Sequence, residues 1–346
     1  MFDSRSFSKC LAVGCAGFAV LLGLHPAAAA QRANPSKSTH PPISREDRDR
    51  ILAALPATVR RMMTEASQTR MSGERIVEFR ARGERRRYRE FILKDGVRQR
   101  IEFSDDSPFA GQVIVESATE RQQFFPDRNV IAVSLPRRDE ILGRMMGIFS
   151  RVGPGGLRVE REDDGSVAGV RCEQYSIRDR DGNVLQRLWI EPRSGALLKR
   201  ELFDATGSRV GLTEWVRVDF SPRFRDDDFV IRRAGARVET PQSRAREEMR
   251  QRGFQEVFLP ADLNLRFLGG RVLSGPNMPD IYMQVYLSDS GQLSFFQVRG
   301  ELDVRRMRQH VGRNVRVLTW TRGDRTWALV GNMSQAEMER ISRRVP

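Results

Sequence analysis

The stretch DGSVAGVRCEQYSIRDRDGNVLQRLWIEPRSGALLKRELFDATGSRVGLTEWVRVDF, residues 164–220, decides the fold. Four turn signals punctuate it: Asp164-Gly165, Asp181-Gly182, Pro192-Arg193-Ser194-Gly195 and Asp204-Ala205-Thr206-Gly207. Runs rich in β-branched and aromatic residues lie between them. Short glycine-bearing turns join antiparallel neighbours, so four of them predict a meander of five strands. In the last run Leu212, Val216, Val218 and Phe220 share one face, with Thr213, Arg217 and Asp219 on the other.

The strand pattern extends backwards to Gly73. Val77, Phe79 and Ala81 alternate with charged residues. Further runs follow at 86–93, with Phe91 and Leu93 on one face, and at 97–103, 112–117, 121–125 and 129–134. Two helical stretches flank this set. One starts at Arg45 and carries Ile51, Leu52, Leu55, Val59, Met62, Met63 and Ala66, with Pro56 splitting it because proline removes a helical hydrogen bond. The other spans 138–149, with Ile141, Leu142, Met145, Met146 and Phe149 at helical spacing. Beyond 220 the segment 225–252 is polar and charged and reads as a linker. From about Gly253 strands are expected at 254–259, 281–288, 292–299, 315–321 and 325–331, with hairpins at Asp289-Ser290-Gly291 and Arg322-Gly323-Asp324. A last helix follows Ser334, where Ser334 and Glu337 match a capping box.

The 346 residues hold 59 Lys+Arg against 45 Asp+Glu, a net charge of +14. Length alone allows about two domains. All but four of the basic residues (Lys9, Lys37, Lys94 and Lys199) are arginine, which suits bidentate recognition of carboxylate or phosphate. Residues 1–30 read as a secretory signal: Arg5 and Lys9, the apolar run Cys10–Leu24, then Pro26 and Ala27 to Ala30, with cleavage before Gln31. The apolar run is shorter than the ~20 residues of a spanning helix. Cleavage would leave Cys172 as the one cysteine, so no intrachain disulfide is expected. Export argues against a nucleic-acid partner. Residues 31–44 read as a flexible leader.

A search for chemistry excludes several classes. His40 and His310 have no Cys or His at ligand spacing, so no metal site is expected. Gly153-Pro154-Gly155-Gly156 lacks the Gly-Lys-Ser/Thr of a phosphate loop. Asp226-Asp227-Asp228 reads as a solvated charge run, and Cys172 as a buried strand residue without a histidine to activate it. No catalytic residue and no cofactor are expected. Two features remain. Methionines recur on the helices, and methionine adapts its shape to varied apolar ligands. Basic clusters include Arg82, Arg85, Arg86, Arg87 and Arg89, and Arg305, Arg306, Arg308, Arg313 and Arg316.

The order of these parts resembles the MucB/RseB family of periplasmic regulators of the envelope-stress sigma factor. The likeness runs through VRCEQY (170–175), LWIEPRSGALL (188–198), RELFDATG (200–207), LSDSGQLSF (287–295) and ALVGNMSQAEMERI (328–341), and covers roughly 57–345. It implies an α+β fold: a lipoprotein-carrier-like, curved antiparallel half-barrel with covering helices at 45–224, then the linker, then a smaller antiparallel β domain with a terminal helix at 253–346. It also implies a non-enzymatic periplasmic protein, soluble after cleavage. Such a protein binds the periplasmic part of a membrane anti-sigma factor, shields it from proteolysis, and releases it on a lipid-type signal such as lipopolysaccharide or lipoprotein acyl chains. On that reading Met62, Met63, Met145, Met146 and Phe149 are lipid-pocket candidates, and Arg305, Arg306 and Arg308 are partner-binding candidates. The alternative is a periplasmic lipid or lipoprotein carrier, a class without the second domain.

Overall fold

Thirteen strands form the first sheet of a computed structural model that describes residues 45–81, 84–136, 157–275, 278–288, 291–302 and 315–345. The expected signal and leader, the helix at 138–149 with Met145, Met146 and Phe149, and the arginines Arg305, Arg306 and Arg308 lie outside the described residues. The chain divides into two units between Glu239 and Thr240.

The first unit begins with helices α1 (Arg45–Ala54) and α2 (Ala57–Thr64), separated as expected at Pro56, which becomes the N-cap of α2. Its strands are β1 (Arg70–Ala81), β2 (Glu84–Asp95), β3 (Arg98–Phe103), β4 (Val113–Glu116), β5 (Arg121–Phe125), β6 (Val130–Ser134), β7 (Arg158–Arg161), β8 (Gly165–Val167), β9 (Val170–Arg178), β10 (Val184–Ile190), β11 (Leu197–Phe203), β12 (Arg209–Asp219) and β13 (Arg237–Glu239). The order is β13-β6-β5-β4-β3-β2-β1-β12-β11-β10-β9-β7, with β8 paired to β9. Two meanders, β1–β6 and β8–β12, the second with β7 also on β9, are thus joined by the long-range β1–β12 pair into one large curved sheet. All pairings are antiparallel except β13 with β6.

The five-stranded meander forms, with one difference. Asp164-Gly165 does not close a hairpin; β8 starts there, and the tight turn is at Ala168-Gly169, both with positive φ. Asp164 instead receives Arg161 and Arg171, at 2.8 and 2.7 Å. In β12 a β-bulge against β1 breaks the alternation: Trp215 is 5% exposed and Val216 is 42% exposed. Apolar parity is therefore not continuous along that strand, because the extra residue of a bulge shifts every side chain beyond it to the other face.

Residues 225–252, expected as a linker, are shared between the units. Residues 224–236 lie on the sheet, with Phe229 and Ile231 buried against Val113, Val115, Phe124 and Ile131. β13 then extends the edge at β6. The three aspartates are structural: Arg98 donates to Asp226 at 2.8 Å, Arg232 to Asp227 at 2.5 Å, and Asp228 accepts the Arg225 amide at 2.7 Å. Sparse but well-placed apolar residues hold the segment down, which charge content alone conceals.

The second unit starts with helix α3 (Pro241–Gln251), whose Met249 is fully buried. Its sheet has β14 (Arg266–Gly275), β15 (Met278–Ser288), β16 (Gly291–Arg299), β17 (Arg316–Arg322) and β18 (Arg325–Gly331), in the order β14-β15-β16-β18-β17. Helix α4 (Gln335–Ser342) closes it. The Ser334 hydroxyl accepts the Glu337 amide and the Glu337 carboxylate accepts the Ser334 amide, at 3.2 and 2.9 Å, so the expected capping box forms. The strand expected at 254–259 is absent. Phe254, Val257 and Leu259 alternate inward, but side chains satisfy this backbone: Gln284 donates to the Val257 carbonyl at 2.7 Å and the Leu259 amide donates to the Tyr286 hydroxyl at 3.0 Å. β14 was not expected, since Gly269-Gly270 interrupts its apolar pattern. Gly270 is required because a Cβ there would lie 2.5 Å from the Tyr282 hydroxyl.

Candidate ligand- and partner-binding surfaces

Helix α2 is amphipathic. Val59, Met62 and Met63 face one way and pack on Tyr175, Ile177, Leu188 and Ile190 of β9 and β10. Both methionines are 7% exposed, so the structure places these two pocket candidates together as the apolar seal between helix and sheet. The helix is held at its side as well: Arg61 donates to the Pro192 carbonyl in the β10–β11 hairpin.

The same face of the sheet continues through a row set by register: Tyr175, Leu188, Arg200, Thr213, Val77 and Tyr88 lie opposite one another in turn. The row therefore passes from apolar to polar. Next to Tyr88 stands a set of groups that the composition did not single out. Arg75 donates through Nε to Glu90 at 2.6 Å, and Tyr88 donates to the other Glu90 oxygen at 3.3 Å. The Glu90 side chain is only 5% exposed. On the same strand Lys94 donates to the carbonyl of Ala66, in the 3-10 turn (Ala66–Gln68) that follows α2. Burial, and secondarily the Arg75 charge, lower the Lys94 pKa to about 8. Burial also pushes the Tyr88 hydroxyl far up, with Glu90 adding to the effect. The signal for this cluster was present in the alternation of β2. Tyr88, Glu90 and Ile92 share a parity, and a glutamate at the apolar parity marks a buried charge. The sequence drew attention to Phe91 and Leu93, but Phe91 is 42% exposed.

The Lys94 shift has a testable sign. A lysine whose pKa is lowered on folding binds fewer protons folded than unfolded between about 8 and its ordinary 10.5, so stability rises with pH across that window. The full effect is about 3 kcal/mol, but tyrosine ionisation in the unfolded chain opposes it near pH 10. Urea midpoints of the wild type are expected to rise from pH 7.5 to 9.5. Those of Lys94→Met are expected to stay flat. A parallel rise in both proteins would assign the effect elsewhere.

The opposite face of β1, β2, β11 and β12 carries cross-strand ion pairs. Glu78 is bridged by Arg85 at 2.5 Å and Arg209 at 3.3 Å; Arg209 also reaches Glu201 at 3.1 Å, and Lys199 reaches Glu214 at 3.3 Å. Such pairs support sheet register more than they recognise ligands. Cys172 is fully buried, and burial raises its pKa to about 11, which leaves it a thiol. Among the described residues no group of acidic, histidine or cysteine side chains is arranged to hold a metal ion. No helix among them is long and apolar enough to cross a membrane.

The architecture is that of a large curved sheet capped by a helix, followed by a separate five-stranded antiparallel sheet. Neither a family model nor a curated protein matches the sequence. Among solved structures the chain is similar to MucB, at 14% identity over 83% of this chain and 96% of that one, with a TM-score of 0.38. It is similar to a chain of the Pseudomonas aeruginosa MucA/MucB complex at 14% identity, over 83% and 96% of the two chains, with a TM-score of 0.37. A LolA superfamily protein from Nitrosomonas europaea is 13% identical over 51% of this chain and 99% of its own, with a TM-score of 0.26. At these values none of them assigns a role to a residue of this chain.

Proposed function

We propose that this protein is a non-enzymatic binding protein of the bacterial envelope that holds the periplasmic segment of a membrane anti-sigma factor. By holding that segment it shields it from proteolysis, and a lipid-type ligand releases it. The observation that carries this reading is the second unit: residues 240–345 build an antiparallel sheet and a core of their own, a unit for which a simple carrier has no use. The order of motifs from VRCEQY to the last helix supports it, and MucB, to which the chain is similar at low identity, is solved in complex with MucA(peri). The lipid signal is read beneath α2, where Met62 and Met63 can yield their places to an acyl chain. Burial of a chain contributes ~0.8 kcal/mol per CH₂, so a few methylenes compete with a modest protein contact. Arg305, Arg306 and Arg308 contribute charge complementarity toward the partner, which acts mainly on association rate.

Chemical crosslinking in intact cells followed by identification of the captured protein tests this. The expected capture is a membrane protein with a sigma-factor-binding cytoplasmic part. Capture of lipoproteins alone overturns the proposal and leaves the carrier reading in its place.

A further inference from the structure

β1 and β2 run on past their neighbours. β3 pairs with β2 only from Glu90, opposite Phe103, to Asp95, and β12 leaves β1 at Phe79. The pair continues without β3, with Glu78 opposite Arg87, Phe79 opposite Arg86 and Arg80 opposite Arg85, and past Phe79 it is a two-stranded ribbon. Residues 84–87 are all exposed. At the base of the ribbon the Ser104 amide donates to the Arg89 carbonyl at 3.1 Å, and the Arg89 amide donates to the Ser104 hydroxyl at 3.2 Å. The Arg89 backbone therefore faces the β3 side. By the two-residue period of a strand, so do the N–H and C=O of Arg87 and Arg85. Among the described residues no strand pairs with these four groups.

A row of unpaired strand groups is a template for another strand, and the side chains decide which strand fits. Arg80, Arg85, Arg87 and Arg89 share one face of the ribbon by register. The carboxylates on that face, Glu74 and Glu78, are already engaged: Arg89 holds Glu74 at 2.8 Å, and Arg85 holds Glu78. Arg87 makes no ion pair among the described residues. A second copy of this edge would set arginine against arginine, which is unfavourable across a strand pair. A strand with carboxylates at every second position sets them beside Arg85 and Arg87.

We infer that the outer edge of β2 at Arg85–Arg87 binds an extended acidic peptide segment by strand addition, with Glu or Asp at alternate positions. The inference does not rest on the anti-sigma-factor reading, and either can fail without the other.

The probe is a fluorescent peptide of alternating Glu and Val, titrated with the full chain at low salt and followed by anisotropy. Arg87→Gln, which removes one charge, is expected to weaken binding about threefold. Arg87→Pro also removes the outward N–H and is expected to weaken it about tenfold further. Circular dichroism checks that both variants keep the wild-type sheet. The same peptide N-methylated on its amides is expected not to bind. Equal binding of the methylated peptide, equal loss in the Gln and Pro variants, or binding of phosphatidylglycerol vesicles without the peptide would each overturn the inference.

Discussion

Glu90→Leu is expected to destabilise the first unit by about 3 kcal/mol, the lower end of the range for breaking a buried ion pair. Glu90 is the one carboxylate hydrogen-bonded to Arg75 and to the Tyr88 hydroxyl, and its side chain is nearly closed to solvent. Without it Arg75 remains on an apolar face beside Lys94, a second cation whose pKa Arg75 already depresses. Arg75 keeps a side-chain exposure of 26%, which puts the cost at the lower end. The cause is separable from a cavity effect. Removing both charges, with Arg75→Met added to Glu90→Leu, is expected to restore most of the loss, since a matched apolar pair is often neutral relative to a buried ion pair. Urea unfolding followed by tryptophan fluorescence measures both variants. A double variant as unstable as the single one would show that shape, not charge, sets the cost. The pair also bears on the proposed ligand. It interrupts the apolar face next to α2 with polar groups, so the double variant, with one buried ion pair removed from that face, is expected to bind a fluorescent fatty acid more tightly than wild type.

Much of the fold was legible because its turns are local. Asp181-Gly182 and Asp204-Ala205-Thr206-Gly207 fix hairpins within a few residues: Asp179 and Asp204 accept their own loop amides, at 2.9–3.1 Å. The Ser334–Glu337 cap is equally local. What depends on distant chain was not legible. The β1–β12 pair joins residues more than a hundred positions apart, and no short pattern encodes it. The bulge at Val216 is a response to that pairing, so it hid with it. Residues 254–259 have the alternation of a strand, yet Gln284 and Tyr286, a strand away, satisfy their backbone instead. Of the candidate site residues, Met62 and Met63 could be placed on one buried helix face because helical spacing is itself a local signal. The Glu90 cluster was passed over because a single charge at an apolar parity looks like noise until Arg75 is placed opposite it.

Helix α2 depends on one glycine, which gives a second large effect. Gly195 sits in the β10–β11 hairpin with φ +71°, where the Glu191 carboxylate accepts the amides of Arg193 and Ser194 at 2.9 and 2.7 Å. A Cβ on Gly195 would lie 2.8 Å from both the Arg61 carbonyl carbon and the Met62 nitrogen, backbone atoms that no side-chain rotation can move aside. Gly207 has nearly the same backbone, φ +77°, but nothing within 4 Å of an added Cβ. Gly207→Ala thus measures the left-handed strain alone, about 1 kcal/mol. Gly195→Ala carries that strain plus the collision, and is expected to cost about 3 kcal/mol in all. The collision is relieved by lifting α2, so the excess is expected as local release, not global unfolding. The loss is bounded by the seal itself: Val59, Met62 and Met63 each contribute roughly 2 kcal/mol when buried. Trypsin is expected to cut after Arg60 or Arg61 at least about tenfold faster in Gly195→Ala than in Gly207→Ala, because local opening, and not the whole fold, governs cleavage there. If α2 covers the acyl-chain site, the same variant binds a fluorescent fatty acid without waiting for the helix to move, and holds its protein partner less well. Equal cleavage in the two variants would mean that the hairpin absorbs the added methyl and that the helix is anchored by its apolar face alone.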